Sequence, residues 1–425
     1  MSALKKTLSV LLVYTCLLSI GACGTKTPII PDSEHTSTSG ADQGGNVPSA
    51  PDTSETTEPT PDESELPLGV TTELVGTTFY VRGRGPMKDY DTTPFQGKGI
   101  TELVVEDGVT SIGDYAFANF NSLKKVTLPE TLERIGKRAF EKTPIEEIDF
   151  PASLTDIGVY AFDHCLALAL ITGGEGVERI GGGALNKVPY VEEYNGERLL
   201  VGHCYVKHFG SGSEVVVPDG IKSIGETAFE GCKTLGRIVL PEGLLTIGNK
   251  AFFDCVSLTS VHIPDSVHTI DAGAFAGCSA LETVTGGNGL LYVGADIFLN
   301  TRWRSQNRGD YLVLGSALLE YRGNQGEVVV PDGIKAVAAT VFQLQKDARS
   351  IYLPDGLVSI GVRAFFQCKA DTISVPASVE YMGKDALMGS RISKIFFRGT
   401  PEQWKIMDEN GNAYSVQSVT VEYIE

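Results

Sequence analysis

Eight cysteines and six histidines are the side chains of this chain best suited to nucleophilic or metal chemistry. Five of the cysteines, Cys165, Cys232, Cys255, Cys278 and Cys368, stand at one position of a recurring unit. A zinc site needs ligand pairs such as Cys-x-x-Cys converging from separate turns. The sequence has none, so no metal or other cofactor is expected. An exported chain invites disulfides, and coils stacked ~4.8 Å apart would not forbid them. Yet the column is odd in number and is filled elsewhere by Phe120, Thr143 and Gln345, so small buried free thiols are the expectation. His203-Cys204 with His208 sets a thiol beside a base. Neighbouring strand residues point to opposite faces, however, and the corresponding stretch Gly315-Ser-Ala-Leu-Leu-Glu-Tyr321 lacks the pair. Asp408-Glu-Asn-Gly-Asn412 has calcium-loop residues without the spacing or terminal glutamate of an EF-hand, and reads as a polar turn. No phosphate-cradling glycine loop or serine elbow is present. The chain does not read as an enzyme.

What positions these residues follows from composition and repetition. The 425 residues carry 53 acidic and 35 basic side chains, a formal charge of −18, which argues against nucleic acid as a partner. The 48 glycines lack collagen's one-in-three period and call for many tight turns.

Residues 1–22 place Lys5 and Lys6 before an apolar stretch from Thr7 to Ile20, the order of an export signal and too short for a spanning helix. The run Leu18-Ser19-Ile20-Gly21-Ala22-Cys23 resembles the lipobox of bacterial lipoproteins. That resemblance makes Cys23 the lipid-modified membrane anchor. An ordinary signal peptide cut near Ala22, with Cys23 incidental, is the alternative. Residues 23–67 hold the anchor and then a Ser/Thr/Pro-rich acidic stretch, in which nine acids stand against Lys26. With no apolar periodicity this reads as a disordered tether, of root-mean-square reach about 35–40 Å. A glycosylated stalk or a protein-binding tail is the other reading.

From residue 112 the unit Ile-Gly-x-x-Ala-Phe-x-x-Cys-x-x-Leu-x-x-Val-x-Leu-Pro recurs. Clear copies begin at Ile112, Ile135, Ile157, Ile224, Ile247 and Ile360, and divergent ones at Ile180, Ile270, Val293, Val337 and Met382. Successive starts lie 22 or 23 residues apart, except two steps of 44 that carry insertions near 187–212 and 300–325. Alternation in Leu123-Lys-Lys-Val126-Thr-Leu128-Pro129 predicts a short half-buried strand ended by proline. Pro-Asp-Gly and Pro-Glu-Gly predict tight turns, and Ala-Phe-x-x-Cys fits one buried turn of helix or 3₁₀ structure. No coil can bury its Ile, Phe, Cys and Leu alone, so each must stack on the next.

This pattern resembles the BspA-like leucine-rich repeat proteins over nearly all of residues 70–425. Phe79-Tyr-Val-Arg-Gly-Arg-Gly-Pro-Met-Lys-Asp-Tyr90 and Phe397-Arg-Gly-Thr-Pro-Glu-Gln-Trp404 resemble that family's flanking segments. The resemblance implies a right-handed solenoid, mostly β with short helical or 3₁₀ turns. An N-terminal cap (68–111), about eleven coils (112–396) and a C-terminal cap (397–425) make it up. It also implies adhesion at the outer face of a bacterial envelope. The departures are Ile270-Asp271 without glycine, Val337-Ala338 without Ile-Gly, and Thr172-Gly-Gly and Thr285-Gly-Gly without proline, each of the last two just before an insertion.

Aligned strands leave an outward face whose candidate binding residues are Lys125, Glu147, Asp149, Arg237, His262, Tyr352, Lys394 and Phe396. Leu170, Val216, Val239, Val329 and Ser374 share these columns, and Tyr190 and Trp303 near the insertions are further contact candidates. β-Branched residues also favour strands without any partner, while solenoids bind extended partners on such faces. The expected role is therefore non-catalytic recognition of an extracellular protein or glycan. A surface hydrolase with its site in the insertions, and a passive envelope spacer, are the rivals.

Overall fold

The computed structural model describes residues 69–95, 99–405 and 419–424. The leader, Cys23, the tether and the 408–412 turn lie outside them. Alternation in each unit folds as it reads: in Glu147–Phe150, Ile148 and Phe150 are buried while Glu147 and Asp149 are exposed. Such strands pair in parallel with the next coil, residue for residue, as Arg237 with Ser260 and Ser260 with Thr283. The Ile-Gly step forms a second column of short strands, with Ile112, Ile135 and Ile157 in register. The result is a mostly-β solenoid of about 14 turns, more than the eleven copies of the unit because cap strands stack in line with the coils. Thr78–Pro86 precedes them and Thr420–Tyr423 follows, paired on Lys394–Arg398.

The Ala-Phe segment keeps the i→i+3 bonds of a 3₁₀ turn but is not a helix. The N–H groups of Ala116, Ala118 and Phe120 bond three residues back, each at 3.3 Å. Between them Tyr115, Phe117 and Asn119 donate instead to Lys137, Ala139 and Glu141 of the next coil at 2.7–2.8 Å. This alternation requires left-handed backbone, and Tyr115 (φ 57°) and Asn119 (φ 61°) adopt it. The third and seventh residues after the start of each of the eleven copies do the same, Thr227 and Thr340 among them. Each costs about 1–2 kcal/mol in a non-glycine residue, offset by an inter-coil hydrogen bond in every turn.

The phenylalanines stack along the axis. Phe117, Phe140 and Phe162 form one ladder, with centroids 5.7 and 5.3 Å apart. Phe229, Phe252, Phe275 and Phe298 form a second, at 4.9–5.3 Å, and Phe342 and Phe365 a third, at 5.2 Å. The breaks coincide with the insertions, and each insertion is a hairpin: Arg198–Val201 with Cys204–His208, and Tyr311–Leu314 with Ala317–Tyr321. The N-terminal cap opens with the same device, Gly69–Val75 on Thr78–Pro86. All three turn at a left-handed glycine, Gly76, Gly202 or Gly315. The described chain is thus three successive blocks, each fronted by a hairpin.

The proline-less coils now have a reason. A Cβ on Gly202 would lie 2.5 Å from Gly174 O, and one on Gly315 2.1 Å from Gly287 O. Each hairpin turn therefore sits on the Gly-Gly step of the coil before it. At the first hairpin the core changes hands: Cys204 packs in the hydrophobic cluster of the first block and its neighbour Tyr205 in that of the second.

Candidate binding face

The outward strand column carries the predicted residues, and its neighbours along the axis pair with them. Lys125 Nζ meets Glu102 at 2.8 Å. This hydrogen bond raises the Lys125 ammonium and lowers the Glu102 carboxyl from their ordinary values. Arg237 pairs with Glu214, Thr172 donates to Asp149 at 2.6 Å, and His262 Nδ1 lies 3.0 Å from Thr285 Oγ1. Lys394 stands 4.6 Å over the Phe396 ring and pairs with Glu422. Lys125, Glu147, Asp149, Arg237, His262 and Tyr352 are exposed. Lys394 and Phe396 are half-buried, because Thr420–Tyr423 lies alongside them.

The apolar side chains on this face do not make one strip. Leu170, Val216, Val329 and Tyr352 are 48, 58, 59 and 40% exposed. Val216 lies beside Val239 and Val329 beside Tyr352, so two pairs stand at the starts of the second and third blocks. Two expectations need correction. Ser374 is buried, since the guanidinium of Arg398 donates to its hydroxyl at 3.0 Å on the way to Leu353 O and Asp355. Trp303 is buried against Phe298, 4.8 Å between centroids, and offers nothing to a partner. Tyr190 is half-buried. Exposed Phe209, at the end of the first hairpin, is a surface residue the repeat pattern could not flag because it lies in the insertion.

The thiol and imidazoles of the first insertion do not meet. Cys204 is buried with its thiol 3.7 Å from Val177 O, and burial pushes that thiol up, away from a nucleophile. His203 Nδ1 contacts Gly220 O at 2.8 Å, and His208 Nδ1 lies 3.0 Å from Tyr205 OH. Burial lowers the His208 imidazole. In the second insertion a hollow of about 180 Å³ is lined by Asp296, Arg304, Glu320 and Thr340, among others. Arg304 and Arg322 both pair with Glu320 there. Among the described residues no group of three or more His, Cys, Asp or Glu side chains could hold a metal ion.

The column cysteines are free thiols with a structural task. The Cys165, Cys255 and Cys278 thiols donate to Phe140, Phe229 and Phe252 O at 3.0–3.1 Å. Thr143 and Thr301 occupy the same position and donate to the Phe140 and Phe298 carbonyls at 2.9 and 2.8 Å. The thiols reach the phenylalanine carbonyl of the preceding coil and the hydroxyls that of their own, so Cys and Thr both satisfy a buried carbonyl here, while Phe120 and Gln345 fill the same position without that bond. Burial pushes the Cys165 thiol up to about 11.

Stacked coils with hairpin breaks and a patterned strand face define a leucine-rich-repeat solenoid. The chain belongs to the family of the BspA type leucine rich repeat region, which matches residues 90–198, 203–310 and 314–415, with junctions at the two hairpins. Among solved structures it is similar to a leucine rich cell surface protein from Faecalibacterium prausnitzii, at 21% identity and TM-score 0.24, covering 75% of this chain and 64% of that one. The chain thus spans less than two thirds of that protein. It is also similar to a leucine-rich repeat protein from Eubacterium ventriosum, at 23% identity and TM-score 0.29, covering 76% of this chain and 93% of that one. The pneumococcal vaccine antigen PcpA matches at 15% identity and TM-score 0.27, covering 84% of this chain and 96% of that one. None of the curated proteins compared with the chain matches it. No helix among the described residues is long and apolar enough to cross a membrane.

Proposed function

We propose that this chain is a surface-anchored, non-catalytic binding protein that recognises an extracellular protein or glycan through the outward strand face. The observation that carries this reading is that Val216, Val329 and Tyr352 stand exposed on that face with no core to enter. Residues 1–22 act as the export signal, Cys23 as the lipid anchor at the extracellular face of the bacterial envelope, and 24–67 as the tether. The solenoid supplies the contact.

A protein comprising residues 68–425, which cluster as one compact unit, is presented to panels of matrix proteins and glycans. A second version carries serine at Val216, Val239, Val329 and Tyr352, and a third carries Lys125→Glu, Glu147→Lys and Arg237→Glu. Selective capture that either version loses supports the reading, equal selective capture by all three moves the contact off this face, and no selective capture by any favours a passive spacer. For the anchor, Cys23→Ala should abolish metabolic incorporation of palmitate and release the protein from the membrane fraction. Retained label would overturn it.

A further inference from the structure

Each hairpin interrupts the outward sheet, so two strands begin their sheets with an unpaired side: Glu214–Val216 in a four-stranded sheet and Glu327–Val329 in a five-stranded one. Parallel pairing sends alternate backbone groups to alternate sides. The Arg237 N–H bonds Ser213 O, and the Val217 N–H bonds Val239 O, each at 3.0 Å. Ser213, Val215 and Val217 therefore serve the next strand. The N–H and C=O groups of Glu214 and Val216 face outward along the open edge, as do those of Glu327 and Val329.

The two edges differ in how they end. At Val329 the edge is sealed, because the Tyr311 hydroxyl donates to Val329 O at 2.8 Å while its ring packs 5.2 Å from Tyr321. The helix Arg302–Gln306 of this insertion is held by buried Trp303 and by the pairs Arg302–Glu282 and Arg304–Glu320. At the first hairpin the residue in Tyr311's place is Arg198, which pairs with His208 in the hairpin as Tyr311 does with Tyr321. The Arg198 side chain is exposed and forms no hydrogen bond or ion pair among the described residues, its charge acting only on the nearby Tyr205 and His208. The neighbouring helix Pro189–Glu192 buries no residue. Phe209 and Val216 are exposed, and no group among the described residues seals Val216 O.

We propose that the open edge Glu214–Val216 takes up one extended peptide strand of a partner protein, a strand that alternates apolar side chains and carries a carboxylate. Its backbone would pair with the outward groups of Glu214 and Val216, its apolar side chains would cover Val216 and Phe209, and its carboxylate would meet Arg198. A second copy of this chain is disfavoured by the charge of −18 that each molecule carries. This contact shares Val216 with the outward face but rests on the open backbone edge and on Arg198, so Arg198→Tyr tests it without altering the face.

The test uses the full chain and a fluorescein-labelled peptide Thr-Val-Glu-Val-Thr-Val, with an alternately N-methylated copy and a copy bearing Lys for Glu. The native peptide should bind saturably at one site and slow amide exchange at residues 214–217. Methylation, the Lys peptide and Arg198→Tyr, which transplants the second block's seal, should each weaken binding by about tenfold or more. Val216→Pro, which removes an outward N–H at a strand edge where proline is tolerated, should do the same. Tyr311→Arg should raise the stoichiometry from one to two. Unchanged thermal melting checks that each variant is folded. Absence of saturable binding, equal affinity for the methylated peptide, indifference to Arg198→Tyr, or a sedimenting dimer already protected at 214–217 would each overturn the proposal.

Discussion

The rings of Phe252 and Phe275, one coil apart, lie 5° from parallel with centroids 4.9 Å apart, and both are fully buried. Each ring is thus roofed and floored by its equivalents, and its backbone N–H crosses to the next coil: Phe252 to Ala274 O at 2.7 Å and Phe275 to Ile297 O at 2.8 Å. Packing and hydrogen bonding along the axis are one repeating event.

Removing one ring should therefore be felt on both sides. Phe252→Ala is expected to cost about 3–5 kcal/mol and Phe252→Leu clearly less, read by chemical denaturation. A loss under about 1 kcal/mol for the alanine variant would mean that the ladder does not hold the second block together.

Hairpin seating can be separated from backbone strain. Gly315 and Gly356 both have positive φ, but a Cβ on Gly315 would collide with Gly287 O, while one on Gly356 meets nothing within 4 Å. Both alanine variants bear the left-handed penalty, and Gly315→Ala should lose about 1–3 kcal/mol more. Equal melting temperatures would show that the turn of the second hairpin does not sit on its glycine step.

Asp271 replaces the repeat glycine after Ile270. Burial pushes its carboxyl up to about 6, and the Glu226 carboxylate adds to the rise. Between the ordinary value of 3.8 and about 6 the folded chain holds a proton that the unfolded chain has released, so stability from this group falls as pH rises through that window. Asp271→Asn should accordingly stabilise the protein at pH 7 by something on the order of 2 kcal/mol and flatten the decline between pH 4 and 6. Parallel pH profiles for the two proteins would refute this.

Much of the architecture was legible because a stacked coil writes its core into the sequence at fixed spacing. Ile112, Phe117 and Leu123 and their equivalents are recognisable as buried, and the strand alternation of Glu147–Phe150 could be read directly. The left-handed residues could not. Tyr115, Arg138 and Thr227 share no side-chain chemistry, since what selects their conformation is the carbonyl of the next coil and not their own preference. The insertions were visible as extra length, but their hairpin form was not, because the antiparallel partner of Cys204–His208 lies inside the same insertion and shares nothing with the repeat. On the face, Ser374 misled because Arg398, which covers it, comes from the closing segment. Trp303 misled because an aromatic residue just past a repeat looks the same whether it closes a core or awaits a partner.

The hairpin at the head of each block also bears on how such a chain changes length. Cutting at two equivalent hairpin turns removes a whole block, hairpin and Gly-Gly seat together, and rejoins like to like. Gly202 and Gly315 are 113 positions apart, and that distance is the natural quantum by which this protein could grow or shorten while every remaining coil keeps the neighbour it was built for.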